Sequence, residues 1–417
     1  MDLLITHLSE VATSLGRESR GGAEQGQILR RQNVEVLCRG GKIAFVGSAD
    51  ERERELGPLM DIPRLDANGG TLVPGFVDPH THLPWAGSRE EEFSMRLAGK
   101  TYMEIAAAGG GILSTVRSTR QATEEELIRG VERRLDQMLR HGTTTAEAKS
   151  GYGLNLEDET KQLQVIQETS GRHAVDLVPT LLAAHETPPE YRDDRQAYVE
   201  VVCNEIIPAV GEAGLARFCD VFCEEGVFTA DESRRVLQAG REHGMAPRLH
   251  ADEFVDSGGA ELAAELGALS ADHLIAISPA GIEAMARAGI TAVLLPGTSF
   301  FLMKHTYAPA RRLVEAGVPV AMATDCNPGS SNTESMPMVF VLAVFELGLT
   351  IEEALTAATL NAACCLGLGD RIGSIEVGKD ADLVVLDAPN LLHLAYHYGV
   401  NPVATVIKAG QVVHTAQ

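Results

Sequence analysis

The stretch TLVPGFVDPHTH, residues 71–82, decides how the chain is read: an apolar, β-branched run stops at Asp78, and His80 and His82 follow at once. Downstream of it, similar runs alternate with segments of helical spacing, charge and glycine, the pattern of βα units around a parallel sheet. The runs expected to be strands cover 71–78, 143–148, 175–184, 219–223, 247–249, 270–274, 291–295 and 318–324. Helical stretches lie between them, among them 124–141, 231–243, 259–266 and 308–316; the first opens on Thr123 with Glu126 three residues on, a capping box. Eight such units predict an α/β chain built as a (β/α)8 barrel of the TIM type.

The two ends of the chain read differently. Residues 35–37 and 42–46 flank the Gly40-Gly41 turn as a hairpin, and 382–386, 403–408 and 411–413 read as further short strands. Neither end is large enough to fold alone. The economical arrangement is one small β-sandwich domain from residues 1–70 and 374–417, with a barrel of residues 71–373 between them.

Composition narrows the function. The chain has 417 residues, 45% hydrophobic and 22% charged, and a formal net charge of −23. A charge of that sign repels phosphate backbones and acidic membrane surfaces, so neither nucleic acid nor a membrane is an expected partner. An anionic small molecule needs a local cation to bind. The start MDLLITHLSE lacks a basic segment followed by an apolar one, and the apolar run at 339–345 falls far short of the roughly 18 residues of a membrane span, so a cytoplasmic protein is expected. Seven cysteines, without a repeated CxxC, predict neither a disulfide framework nor a zinc ribbon, and Cys219 and Cys223 read as core thiols.

In an eight-stranded barrel the chemistry sits at the C-terminal ends of the strands. Those ends carry Asp78, His80 and His82; Lys149 to Tyr152; His185; Glu224 and Glu225; His250 and Glu253; His273; and Asp325 to Asn327. His80 and His82 are two residues apart, so on an extended strand both imidazoles face the same way. With His250 and Asp325 from other strands they form a shell of three imidazoles and one carboxylate, suited to Zn²⁺ or iron with a position left for water. A metal there lowers the pKa of its water to about 7 and polarises a carbonyl. Asp325, His273 and Glu253 are the candidate proton-handling residues, Glu253 for a leaving nitrogen and His273 as acid, base or oxyanion partner. No lysine ends the fourth strand, so a single metal is expected.

With His80, His82, His250, His273 and Asp325 in this order, and with GSIEVGKDADLVVLD at 373–387, the sequence resembles the metal-dependent amidohydrolase superfamily, split β-domain included. PGFVDPHTHLPWAGSR (74–89), YMEIAAAGGGI (102–112), AEAKSGYGL (146–154), HADE (250–253), SADHL (270–274) and TDCNPGSS (324–331) are similar to the branch that opens the ring of 4-imidazolone-5-propanoate in histidine degradation. That resemblance implies His80, His82, His250 and Asp325 as metal ligands, and Arg89, Tyr152, His185, Glu253 and Ser330 as substrate contacts. It implies Asn327 and Gly329 as product contacts, a glycine-rich loop at 102–112 bordering the site, and a homodimer. The chemistry of the side chains agrees, since a propanoate tail needs a cation and Arg89 offers a planar fork for it. A nucleobase or formimino-group deaminase with the same shell is the alternative within enzymes, separable by ammonia release. A non-catalytic metal-binding relative is the alternative outside them, and it would be expected to lack Glu253, His273 or Asp325.

Overall fold

The structure is a computed structural model that describes residues 2–59, 61–100, 104 and 109–416. Eight parallel strands follow one another in chain order round a single sheet: β1 (Phe76–Asp78), β2 (Thr143–Lys149), β3 (Asp176–Ala184), β4 (Phe218–Cys223), β5 (Ala246–Ala251), β6 (Ser270–His273), β7 (Thr291–Leu294) and β8 (Val320–Met322). β1 and β8 meet just beyond their ends. There Asp325 N–H donates to His80 O (3.1 Å), His82 N–H donates to Cys326 O (3.0 Å), and the buried Asp78 carboxylate accepts from the N–H and hydroxyl of Thr324. The seam that closes the barrel thus also brings His80 and His82 against Asp325.

The helix Glu124–Arg140 shows how the outer layer forms. Thr123 and Glu126 make the capping box, and Leu127, Val131, Leu135 and Met138 recur at helical spacing and are buried against the sheet. Each such side chain contributes about 1.5–3 kcal/mol by leaving water. The apolar stretch 339–345 lies in the helix Met336–Phe345, most of which is buried inside the protein. Among the described residues no helix is long and apolar enough to cross a membrane. Cys219 and Cys223 are buried free thiols, as expected.

One strand expectation needs correction. The run 71–78 is not continuous: Thr71–Pro74 pairs with Leu383–Leu386 and Glu10–Thr13 in a six-stranded terminal sheet, and only Phe76–Asp78 enters the barrel. The break falls on Gly75, where a Cβ would lie 2.3 Å from Thr144 Oγ1 and where the N–H donates to Asp382 O (2.8 Å). Residues 71–74 therefore stand on the sandwich side of the division expected near 70. The six-stranded sheet joins both chain ends, a second four-stranded sheet uses residues from 2 to 66, and Ile5, Val36, Leu72, Leu383, Val385 and Ile407 share one core between them. The strands at 2–6, 10–13, 29–31 and 64–66 were not foreseen.

Candidate active site

Beyond the ends of the barrel strands, imidazoles converge on one carboxylate. His80 Nε2 is 3.5 Å and His82 Nε2 3.4 Å from the same Asp325 Oδ1, and His250 Nε2 is 3.4 Å from His82 Nε2. Asp325 Oδ2 accepts from Thr298 Oγ1 (2.7 Å), which leaves Oδ1 turned to the histidines. The far side of two rings is fixed by acids that the sequence did not single out. Asp272 accepts from His80 Nδ1 (2.6 Å), Arg248 (2.9 Å) and Ser270 (2.8 Å); Asp220 lies 3.2 Å from His250 Nδ1 and accepts from Lys149 (2.7 Å). With a carboxylate oxygen at each Nδ1, the ring proton sits there and the Nε2 lone pair is offered to the centre.

These residues fit a metal ion. His80 Nε2 is buried without a hydrogen-bond partner among the described residues, and so is His82 Nδ1. Unaided, lone pairs packed at such distances repel; a cation among them turns that repulsion into binding. One ligand atom from each of His80, His82 and Asp325 lies within 4.8 Å of the other two, and the same holds for His80, His250 and His273 and for His82, His185 and His250. The electrostatics agree. Burial, followed by Lys149 at His80 and by His250 at His82, holds both imidazoles well below the ordinary pKa and so neutral. At His250, burial is outweighed by Asp220, which pulls the pKa upward. Asp220 thereby favours positive charge on that ring, whether a proton or a metal supplies it.

Lys149, read from the sequence as shaping a loop or the local field, is wholly buried with Nζ 2.7 Å from both Glu147 and Asp220. Burial disfavours its charge, but these two acids more than offset that and raise its pKa. The outcome is a closed chain of charges, Glu147–Lys149–Asp220–His250, beneath the centre.

The proton-handling candidates sit above it. Glu253 Oε2 lies 3.8 Å from His273 Nδ1. Burial, then the charge of Asp325, pushes the Glu253 carboxyl up to about 7, whereas burial brings His273 down to about 3, so that this imidazole is neutral. His185 stacks on His82 with ring centres 5.1 Å apart and donates Nδ1–H to Gly151 O (2.9 Å). Asp252, His273, Leu274 and Asp325 all have φ between 52° and 76°, a conformation costly for residues with a Cβ and held here by the surrounding bonds. Two further buried carboxylates fix the loops that carry Tyr152 and Glu253. Glu159 accepts from the N–H groups of Gly151, Gly153 and Leu154, and Glu224 from those of Glu253, Phe254 and Val255.

A cavity of about 610 Å³ opens over the cluster, and every sequence-predicted site residue except His80, which lies beneath, borders it. Two contacts differ from expectation. The fork of Arg89 is already occupied: Nε (3.0 Å) and Nη2 (2.8 Å) both donate to Glu92. Asn327 uses its side chain within its own turn, Oδ1 accepting from the N–H groups of Gly329 and Ser330 (both 2.8 Å) and Nδ2 donating to Asp325 O (2.7 Å). It therefore shapes the Gly329–Ser330 corner. Tyr152 is buried at the wall, and burial raises its pKa. Of the expected loop at 102–112, residues 102, 103 and 105–108 lie outside the described residues, while Gly111 and Ile112 line the cavity.

Sequence reasoning passed over Asp220, Asp272, Glu92 and Arg96. A signal was present for three of these four. Asp272 adjoins His273 within SADHL, and Arg89, Glu92 and Arg96 are spaced by three and four residues, one face of a helix.

The amidohydrolase family matches residues 182–413. The chain is 54% identical to an imidazolonepropionase of Geobacillus kaustophilus, over 92% of this chain and 90% of that one. It is 52% identical to one of Shouchella clausii (99% and 92% covered) and 47% identical to one of Porphyromonas gingivalis (100% and 98%). Among solved structures, an adenosine deaminase from Xanthomonas campestris with bound zinc superposes with a TM-score of 0.71 at 22% identity (99% and 92% covered). A triazine hydrolase variant gives 0.74 at 17% (99% and 95%). At those identities the structural likeness speaks for the fold alone.

Proposed function

The chain belongs to the amidohydrolase family and, within it, to the imidazolonepropionases, and from that premise we propose that His80, His82, His250 and Asp325 hold one divalent ion, zinc or iron, at the floor of the cavity. The reaction is hydrolysis of the cyclic amide of 4-imidazolone-5-propanoate in histidine degradation. The oxygen of water joins the ring carbonyl carbon, the C–N bond breaks, and a proton reaches the departing nitrogen to give N-formimino-L-glutamate. The donor set of three imidazoles and a carboxylate suits both metals. When bound, the ion supplies Lewis acidity, polarising the carbonyl and lowering the pKa of water to about 7.

The remaining chemistry falls to the chain's own side chains. Asp325, steadied by Thr298, accepts a proton from the attacking water. Glu253, whose pKa near 7 lets it both take and give a proton at neutral pH, passes it to the ring nitrogen. His273 is neutral, so it stabilises the developing oxyanion as an N–H donor, while His185, neutral and with its Nδ1–H given to Gly151 O, offers the Nε2 lone pair to an N–H of the ring. Tyr152, Ser330 and the Gly329 corner shaped by Asn327 orient the ring and the nascent carboxylate. Arg89 lies at the end of the cavity that receives the propanoate.

The observation that carries this reading is the presence, in one cavity, of the imidazole–Asp325 cluster, the Glu253–His273 pair and a guanidinium at Gly329. The test is to supply purified protein with 4-imidazolone-5-propanoate and follow its ultraviolet absorbance, with metal analysis of the same sample. Loss of absorbance with formation of N-formimino-L-glutamate and no ammonia is expected. Ammonia release would instead favour a deaminase, and full turnover after exhaustive chelation would refute the metal's role. The seven free cysteines suit a reducing compartment, and we place the enzyme in the cytoplasm.

A further inference from the structure

Arg89 is the sequence's choice for the propanoate, yet the structure leaves it little to offer. Its Nε and Nη2 are spent on Glu92, and Glu92 is itself anchored by Gly111 N–H (2.9 Å) and Ser114 Oγ (3.4 Å). Beyond the second N–H of Nη2, what remains is Nη1, pressed against Gly329 so closely that a Cβ there would stand 2.0 Å from it. One helical turn beyond Glu92, Arg96 borders the same cavity. Its Nη2 donates to Gly329 O (3.2 Å), and its Nη1 is buried with no hydrogen-bond partner among the described residues. The guanidinium lies 5.4 Å from the ring centre of Phe301 and 5.9 Å from that of Phe93, two rings that stack on each other, so its plane is held.

A buried guanidinium N–H without an acceptor is costly unless a ligand supplies one. We infer that Arg96 is the second cation of the carboxylate subsite, and that the propanoate is held between Arg89 Nη1 and Arg96 Nη1 across Gly329. Two guanidinium groups and one carboxylate leave this end of the cavity with one positive charge in excess, the complement of a single propanoate. Burial, and then repulsion from Arg89, lower the pKa of Arg96, as expected of a cation awaiting its counter-charge. The inference rests on the function proposed above and adds a specificity-determining residue to it.

The experiment compares kcat/KM for 4-imidazolone-5-propanoate with that for its uncharged propanamide counterpart. In Arg96→Gln the ratio should fall about 10- to 100-fold, the worth of a charge-assisted hydrogen bond. Arg96→Met, whose chain keeps cover over Phe93 and Phe301, is read the same way should the glutamine variant fold poorly. Arg96→Lys, which restores the charge, should recover part of the ratio. A ratio equal to wild type in the glutamine and methionine variants, with any loss shared by both substrates, would assign Arg96 to packing and overturn the inference. A wild-type enzyme inactive on both compounds would overturn the function itself, so the two failures are distinguishable.

Discussion

Replacing Asp272 by asparagine separates two jobs that one carboxylate performs. Its Oδ2 accepts from His80 Nδ1 and from Arg248, whose side chain is wholly buried; besides Asp272, that guanidinium reaches Pro79 O (2.8 Å), while Nε and Nη1 have no partner among the described residues. Removing the negative charge leaves a buried guanidinium uncompensated, a loss of about 3–5 kcal/mol of stability. Independently, the acceptor facing His80 Nδ1 becomes a neutral amide oxygen in place of a carboxylate, a weaker hold on that proton and a less basic ligand, and metal affinity should drop about 10- to 100-fold. Chemical denaturation of the metal-free protein reads the first effect, and competition with a chelator of known affinity reads the second. The double variant Asp272→Asn with Arg248→Met discharges the stranded cation. It should regain most of the stability while metal affinity stays low. Metal affinity within threefold of wild type in the single variant, or recovered together with stability in the double one, would refute the positioning of His80 by Asp272.

Glu253→Gln should keep its metal yet lose about 10²–10⁴-fold in turnover. Because burial places the Glu253 pKa near 7 and the ionised form is the proton acceptor, wild-type kcat/KM should fall with decreasing pH below that value, and the limb should vanish in the variant. A retained limb would assign it to another group. Gly329→Ala should raise KM for the propanoate substrate with little loss of thermal stability, since the clash falls on the movable end of Arg89; an unchanged KM would show that Arg89 does not serve the substrate from its observed position. Glu224→Gln turns one of two accepting oxygens into a donor facing the N–H groups of 253–255. Two charge-assisted bonds at about 1.5–3 kcal/mol each are at stake. Turnover should fall with metal content unchanged, and wild-type turnover would show that Glu253 holds its place without this clamp.

The sequence revealed the barrel because each buried parallel strand is a short apolar run bounded by polar or glycine-rich breaks, and such runs are countable. It hid the division inside 71–78 because both halves are apolar and Gly75 lies between them without any change of polarity; pairing across the chain, with 383–386, decides where the strand ends. The metal-ligand candidates were legible for a topological reason, since a histidine or acid at the C-terminal end of a barrel strand points to the site whatever its neighbours. Asp220 was not, because an acid inside a strand acquires its meaning only from the side chain facing it on the adjacent strand, and Asp272, though marked by its neighbour His273, shows its partners His80 and Arg248 only in the fold. The same holds for Arg89: its type predicts carboxylate binding, but only the fold shows that Glu92, three residues on, has taken the fork.

Loops that leave the barrel lose the ladder that satisfied their N–H groups, yet those carrying Tyr152 and Glu253 must be rigid to serve a reaction. The structure meets this three times in one way, with a buried acid gathering successive amides: Glu159 under 151–154, Glu224 under 253–255, and Asp252 under Ser257, Gly259 and Ala260. Asp220 and Asp272 do the same for histidine, lysine and arginine. Each of these acids counts toward the net charge of −23, and each is met by donors within hydrogen-bond distance; on the side of the cavity over the imidazoles they still act, Asp220 favouring charge on His250 and Glu224 adding to the raised pKa of Glu253. Exposed acids are screened beyond about 8 Å at physiological salt. At Gly329 the nearest charges to an incoming propanoate are Arg89, Glu92 and Arg96, while Lys100, which also lines the cavity, is paired with Glu104 (3.0 Å). An acidic protein can bind an anion there because much of its excess charge is internally paired or distant, while Arg89, Glu92 and Arg96 around Gly329 sum to one positive charge.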